Sequence, residues 1–511
     1  MKKKRIQIWI ISGSLFVLLS FLVGCASQPQ ATQPEATQPQ AVEETAPPPT
    51  STSPPQEPIV EIEGDPIRGG LLYDMWWAVP EEGEEHVEGE AQGHEAAGPE
   101  GDHPLWKTQT TNTRTGSDTW RCKECHGWDY KGVDGAYGSG SHMTGFVGVY
   151  LARDKSPEEL LDIMQGSTNP DHDFTSVMDE HSLNDLVLFI SQTLVDTDQF
   201  VNADKSAKGE ATQGKTKYEE VCVYCHGPQG NAINFASLEE TEYLAHVAQD
   251  NPWEFLHKVR FGQPGWPMPS AIKNEWTDQE VVDVLAYAQT LTTDSAVSGG
   301  GLLYDKWWDV VGAEEPTTDQ PLWKTQTTNT RTGADTWRCK ECHGWDYKGV
   351  DGAYGSGSHM TGFPGILGAA TKTSDELTGW LTGKNNPDHD FSEVLNEAAL
   401  NALVTFMQKE MQDVSPYIDA EKIAVGDPAS GKVKFEKTCA ACHGLDGKEM
   451  NFGDDAEPEY VGTIGVDNPW EFFHKASFGH PGVPMPAGIG LGFTLEDRAD
   501  LLAYVQTLPT K

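Results

Sequence analysis

Gly431-Lys432-Val433-Lys434-Phe435-Glu436-Lys437-Thr438-Cys439-Ala440-Ala441-Cys442-His443-Gly444 closes on Cys-x-x-Cys-His, and the rest of the chain can be read outward from it. A Cys-x-x-Cys-His peptide is an attachment sequence for a c-type haem. Its two thiols add to two vinyl groups along one edge of the macrocycle, and the adjacent histidine lies under the iron as the proximal ligand. The glycine that follows lets the backbone turn away close to the ring. The pattern recurs at Cys122/Cys125/His126, Cys222/Cys225/His226 and Cys339/Cys342/His343, each time followed by glycine. Four covalently bound haem c groups, each with its iron, are therefore expected. A structural zinc site needs four ligands, and no second Cys-x-x-Cys lies near any of these. Redox dithiols would require four separate dithiol domains. Of the nine cysteines, eight fall in the four pairs and the ninth is Cys25, so no thiol is left over for catalysis or for iron ligation.

The attachment sites expose a duplication. Cys122 to Cys339 is 217 residues, and so is Cys222 to Cys439; inside each copy the two motifs are 100 residues apart. Pro104–Phe146 repeats as Pro321–Phe363 with one difference, Ser117 against Ala334. A second match, Gly-Leu-Leu-Tyr-Asp-x-Trp-Trp, starts at Gly70 and at Gly301, an offset of 231 that leaves a 14-residue insertion in the first copy. The insertion lies in a Glu/His/Gly-rich stretch whose His86, His94 and His103 lack metal-ligand spacing, so it reads as a solvated acidic loop. Each copy thus holds two unlike units, in the order A, B, A, B. Thr277-Asp278-Gln279-Glu280 predicts a capping box before an amphipathic helix, and Thr494-Leu495-Glu496-Asp497 opens a similar run. No stretch alternates with period two. Trp76-Trp77 and Trp307-Trp308 are expected to pack an added N-terminal helix onto each A domain.

Ahead of the duplication stands a leader. Lys2–Arg5 precede an apolar run to Gly24, and Leu22-Val23-Gly24-Cys25 resembles a bacterial lipoprotein cleavage box, which implies cleavage before Cys25 and acylation of that cysteine. An uncleaved signal anchor is the alternative, and either exports the remainder. Residues 26–66, rich in Pro, Gln, Thr and Glu, read as a disordered tether. The formal charge of −42 excludes nucleic acid as a charge-driven partner and favours redox partners with basic docking surfaces.

Gly431–Gly444, and Gly214–Gly227 with it, resemble the opening of a class I cytochrome c domain. That family runs an N-terminal helix into the haem motif, crosses it with a C-terminal helix, and brings a methionine from the loop between to the far face of the iron. The resemblance covers residues 205–295 and 425–509 and, less fully, the A domains. It implies Met268, in Phe261-Gly262-Gln-Pro-Gly-Trp-Pro-Met268, and Met485, in Phe478-Gly479-His-Pro-Gly-Val-Pro-Met485, as distal ligands. Both stand six residues after a glycine. Six residues after Gly166 and Gly383 in the A domains stand His172 and His389, so the same register gives His/His ligation there. Met143, Met360, His142 and His359 also recur in both A domains and stay open as rivals, although they lie early for a distal position; Met178 is weaker, because Leu395 replaces it. His181, opposite Ala398, reads as a surface residue. His257 and His474 are read as haem-propionate partners or as helix packing, with ligation the less favoured role. Lys258, Arg260, Arg114 and Arg331 are further candidates to pair with propionates.

The expected molecule is all-α: four small cytochrome c-like haem domains in two tandem dihaem repeats behind the tether. Its divisions are a signal peptide (1–24), a lipidated linker (25–66), and domains A1 (67–200), B1 (201–297), A2 (298–415) and B2 (416–511). Two strong axial ligands leave the iron no open position, so the expected role is electron transfer between redox partners in the cell envelope. The competing expectation is an oxidoreductase acting on a sulfur compound or a peroxide at an A-domain haem with a labile distal ligand. A polymeric haem wire is a third, although four haems on this length of chain are sparse for one.

Overall fold

The computed structural model describes residues 62–80, 98–454 and 456–511. The chain divides into two units, Met1–Ile59 and Val60–Lys511, and the described residues all fall in the second. The signal peptide, Cys25 and nearly all of the tether lie outside the described residues, as do His86 and His94.

Domain A1 contributes α1 (Pro66–Met75), α2 (Cys122–His126), α3 (Pro157–Met164) and α4 (Glu180–Leu188). Domain B1 follows with α5 (Ala211–Glu220), α6 (Val223–His226), α7 (Leu244–Asp250), α8 (Pro252–Phe261) and α9 (Asp278–Ala288). The second copy repeats the series. A2 holds α10 (Gly300–Val311), α11 (Cys339–His343), α12 (Ser374–Leu381) and α13 (Glu397–Thr405). B2 holds α14 (Pro428–Lys434), α15 (Ala440–His443), α16 (Val461–Asp467), α17 (Pro469–Phe478) and α18 (Leu495–Val505). Among the described residues β-pairing is confined to isolated bridges. No described helix is long and apolar enough to cross a membrane. Thr277 and Thr494 form the expected capping boxes, closed by Glu280 and Asp497.

In each domain the N-terminal and C-terminal helices cross at a glycine. A Cβ on Gly214 of α5 would stand 1.8 Å from the Asp283 carbonyl oxygen of α9, and one on Gly431 of α14 1.9 Å from that of Asp500 in α18. Only a hydrogen fits there, so the backbones touch. The A domains make the same crossing: a Cβ on Gly69 of α1 would lie 2.1 Å from Asp185 O in α4, and one on Gly300 of α10 2.3 Å from Ala402 O in α13. Four residues after three of these glycines stand Tyr73, Tyr218 and Tyr304, whose hydroxyls donate to Gly127 O, Gly227 O and Gly344 O at 2.7, 2.6 and 2.6 Å. Each tyrosine therefore ties its N-terminal helix to the glycine after the haem-motif histidine.

This corrects one expectation. The helix carrying Tyr73 is not an addition to the A domain but its own N-terminal helix, separated from the motif by a long insertion. Gly69 is 53 residues before Cys122, whereas Gly214 is 8 before Cys222. The tryptophans that follow it do pack: Trp307 and Trp308 are buried in the A2 core, edge to face at 5.4 Å.

A and B domains are welded through α8 and α17. Phe261 at the end of α8 is buried in the A1 core, over Gly70, where a Cβ would come within 2.3 Å of its ring. His257 donates from Nε2 to Gly70 O at 2.9 Å and accepts at Nδ1 from the Tyr130 hydroxyl at 2.8 Å. Buried Asp74 of α1 pairs with Arg121 beside the haem motif and with Lys258 of α8 at 2.7 Å. Burial alone would raise its carboxyl; Lys258 and Arg121 outweigh that and hold it well below the usual carboxylate range. His474, Tyr347 and Gly301, with Asp305, Arg338 and Lys475, repeat the arrangement in the second copy.

Candidate haem sites

In the A domains the short motif helix fixes the imidazole of the motif histidine. His126 donates from Nδ1 to Val147 O at 2.7 Å, and His343 to Pro364 O at 2.7 Å. A carbonyl oxygen only accepts, so Nδ1 carries the proton and Nε2 keeps the lone pair that a metal needs. Across the domain His172 donates from Nδ1 to Ile163 O at 3.0 Å, and His389 to Trp380 O at 3.0 Å. The rings of His126 and His172 face each other with centroids 6.3 Å apart, as do those of His343 and His389, also at 6.3 Å. Two imidazoles bound to one metal ion at about 2 Å per nitrogen have centroids roughly 6 Å apart. Each pair opens onto a cavity of about 590 Å³ that both motif cysteines line. Leu160 and Phe174 continue the wall in A1, as Leu377 and Phe391 do in A2. An apolar space of this size, lined by two imidazoles whose Nδ1 atoms are bonded to carbonyls and by two thiols, fits a covalently held haem.

A local fold-back explains why the sixth residue after the glycine arrives at this position. Gly166 has φ +73°, and a Cβ there would meet Asp173 Cβ at 2.7 Å; at Gly383 (φ +68°) the contact with Asp390 would be 2.8 Å. In the B domains Gly262 and Gly479 (φ +103° and +89°) lie against the carbonyl oxygens of Met268 and Met485, which a Cβ would approach to 2.8 and 2.5 Å. Met268 packs against the same core as Cys222. The motif histidines His226 and His443 differ from their A-domain counterparts: their Nδ1 atoms are buried without a hydrogen-bond partner.

The thiols differ from those of a redox dithiol, whose pKa values are lowered, in the direction of their shift. Burial pushes the leading cysteines, Cys122, Cys222, Cys339 and Cys439, up to about 12. The later cysteines of the pairs, Cys125, Cys225, Cys342 and Cys442, are raised as well, burial again the largest cause.

The rival residues have other partners, with one exception. His142 sits 3.1 Å from an Arg114 nitrogen and packs on Tyr137, and His359 stacks on Tyr354. Met143 and Met360 offer their carbonyls to Thr111 and Thr328. Met178 is buried and lines the A1 cavity alongside His126 and His172, whereas its counterpart Leu395 is a core residue, and His181 lies 3.5 Å from Asp185. With both ring nitrogens engaged, His257 and His474 serve helix packing, not a propionate. The basic candidates pair with protein carboxylates: Arg114 with Glu124 at 3.3 Å, Arg331 with Glu341 at 3.7 Å, Lys258 with Asp74, and Arg260 with Asp278 at 3.2 Å. Sequence reasoning missed Glu124 and Glu341, fully buried between the motif cysteines. For Glu341, burial would raise the carboxyl, but Lys340, His359 and Arg331 hold it at about 2. His103 was grouped with a solvated loop; it is 4% exposed and lines the A1 cavity, its ring 6.4 Å from that of His172. Among the described residues no group of His, Cys, Asp and Glu could hold a separate metal ion.

Helical domains with crossed termini, built around Cys-x-x-Cys-His segments, have the architecture of the c-type cytochrome class. Within it, the family model "Cytochrome C oxidase, cbb3-type, subunit III" matches residues 209–287 and 426–505, which are the bodies of B1 and B2. No curated protein matches the chain. A solved structure, thiosulfate dehydrogenase (TsdBA) from Marichromatium purpuratum, is 14% identical over 75% of this chain and 86% of its own, with a TM-score of 0.18, a likeness too slight to carry an inference.

Proposed function

We propose that this chain is an exported, membrane-anchored electron carrier with four covalent haem c groups. The A domains hold iron between His126 and His172 and between His343 and His389; the B domains hold it between His226 and Met268 and between His443 and Met485. The observation that carries this reading is the pair of opposed imidazoles in each A domain, 6.3 Å apart, with both Nδ1 protons already given to backbone carbonyls. When bound, such a group supplies one-electron exchange. The chain's own part would be to attach it through the motif cysteines, to offer the side chains that hold its iron and to set its potential. Histidine ligands whose Nδ1–H is hydrogen-bonded are the more basic, which lowers the A-domain potentials; methionine opposite an unsupported histidine raises those of the B domains. Low- and high-potential sites would then alternate along the chain.

The test is an EPR spectrum of the oxidised protein loaded with four haems per chain. The reading expects low-spin signals of His/His and His/Met type in equal amounts. A high-spin signal overturns full coordination and favours an oxidoreductase with an open A-domain site. Anchoring rests on Cys25: Cys25→Ala should move the protein from the membrane fraction to the soluble one, and a variant that still partitions with membranes would count for the uncleaved anchor.

A further inference from the structure

The two copies touch at their haem-attachment segments. The loop after Met485 in B2 lies on the segment after His226 in B1: Ala487 N donates to Ala232 O at 2.9 Å. A Cβ on Gly490 would stand 2.6 Å from Ala232 Cα, and one on Gly227 (φ +77°) would stand 2.3 Å from Gly490 O. Alongside, Lys437 Nζ donates to the Tyr224 hydroxyl at 3.4 Å and lies 5.1 Å from the centre of its ring. Tyr224 sits inside the Cys222/Cys225 motif and Lys437 is two residues before Cys439. The attachment peptides of B1 and B2 therefore meet.

A haem c is fixed by its thioether edge to the peptide that carries the thiols. Peptides in contact hold two such edges side by side. We propose that the B1 and B2 attachment segments form one joint dihaem site, the junction through which the two copies are electronically connected, with Tyr224 and Lys437 at its seam. The spatial order would then be A1–B1–B2–A2, although the sequence runs A1–B1–A2–B2. The contact is one between unlike faces. Tyr224 corresponds to Ala441, Lys437 to Glu220 and Ala232 to Glu449, so neither copy can make the other's half of it. The competing route between copies is B1 to A2, because Leu238 of B1 packs against the A2 core and Glu239 bonds Asn396.

This rests on the four-haem reading, and circular dichroism in the Soret band separates the two. Closely adjacent haems couple as excitons and give a two-signed band, whatever their activity. The fully loaded chain should show it. Cys222→Ala/Cys225→Ala, which removes the B1 haem, should abolish it, whereas Cys339→Ala/Cys342→Ala, which removes the A2 haem, should leave it. Gly490→Phe, which drives a wedge against Ala232, should at least halve the couplet while the chain keeps four haems. A couplet that is absent from the four-haem chain, survives loss of the B1 haem, disappears with the A2 haem, or is unchanged in four-haem Gly490→Phe overturns the junction. A wild-type chain loaded to fewer than four haems overturns the reading beneath it instead.

Discussion

His172 and His142 stand 30 residues apart on the same domain, and both recur in the second copy, so composition alone does not choose between them. Position relative to a glycine does. Gly166 lets the chain fold back on itself, and the fold-back delivers His172 to the ring of His126, while His142 is spent on Arg114 and Tyr137. His172→Ala should therefore convert one haem in four to high spin, and His142→Ala should leave the EPR spectrum unchanged; the reverse pattern would move the distal position. This much was legible in the spacing. His103 was not, because its burial comes from contacts with Trp120 and Phe174 that lie far off in sequence. Asp74 was not singled out either, although it joins three elements. Asp74→Asn takes the buried countercharge from Arg121 and Lys258, themselves part-buried and left with Asp118 and Glu254, and breaking such a pair costs up to about 3–5 kcal/mol. Chemical denaturation of the loaded protein should show a loss of that size; a change below about 1 kcal/mol would mean that the pair is relaxed by water.

At the level of elements, α8 and α17 decide how A and B stay together, and each carries a buried neutral histidine. Burial above all pushes His257 down to about 3 and His474 to about 4, with Asp74, Lys258 and Arg260 the charged groups around the former. In the unfolded chain an imidazole takes up its proton near about 6.5. Below that pH the unfolded state binds protons that the folded state refuses, so stability is complete above it and falls as the pH drops toward 4, by up to about 1.4 kcal/mol per pH unit for each histidine. Denaturation midpoints at pH 7 and pH 5 measure this, and His257→Gln/His474→Gln should flatten the difference. The capped C-terminal helices α9 and α18 were plain from Thr-x-x-Glu and Thr-x-x-Asp. The kinship of α1 with α5 was not, because the insertion between Gly69 and Cys122 separates two parts that are adjacent in the B domains. The shared Gly-x-x-x-Tyr was the available signal.

The whole molecule carries a formal charge of −42, which on the proposed reading would steer it toward basic partners, and such steering is screened by salt. Reduction by a basic redox protein should slow by tenfold or more as ionic strength rises from about 0.01 to 0.5 M, and a rate indifferent to salt would mean docking through apolar surface. Charge and duplication were both visible in the sequence; the arrangement of the copies was not, because the residues that join them, Ala232, Tyr224, Lys437 and Gly490, have no periodic or compositional signature. Their contact has a direction. The second copy lays its loop on the first, with Gly492 against Pro228, while the corresponding residue of the second copy, Leu445, is 69% exposed. The junction is therefore one-sided: Ala441 and Glu449 stand in the second copy where Tyr224 and Ala232 stand in the first, so a third copy joined behind the second would meet a surface unlike the one on which the second copy rests.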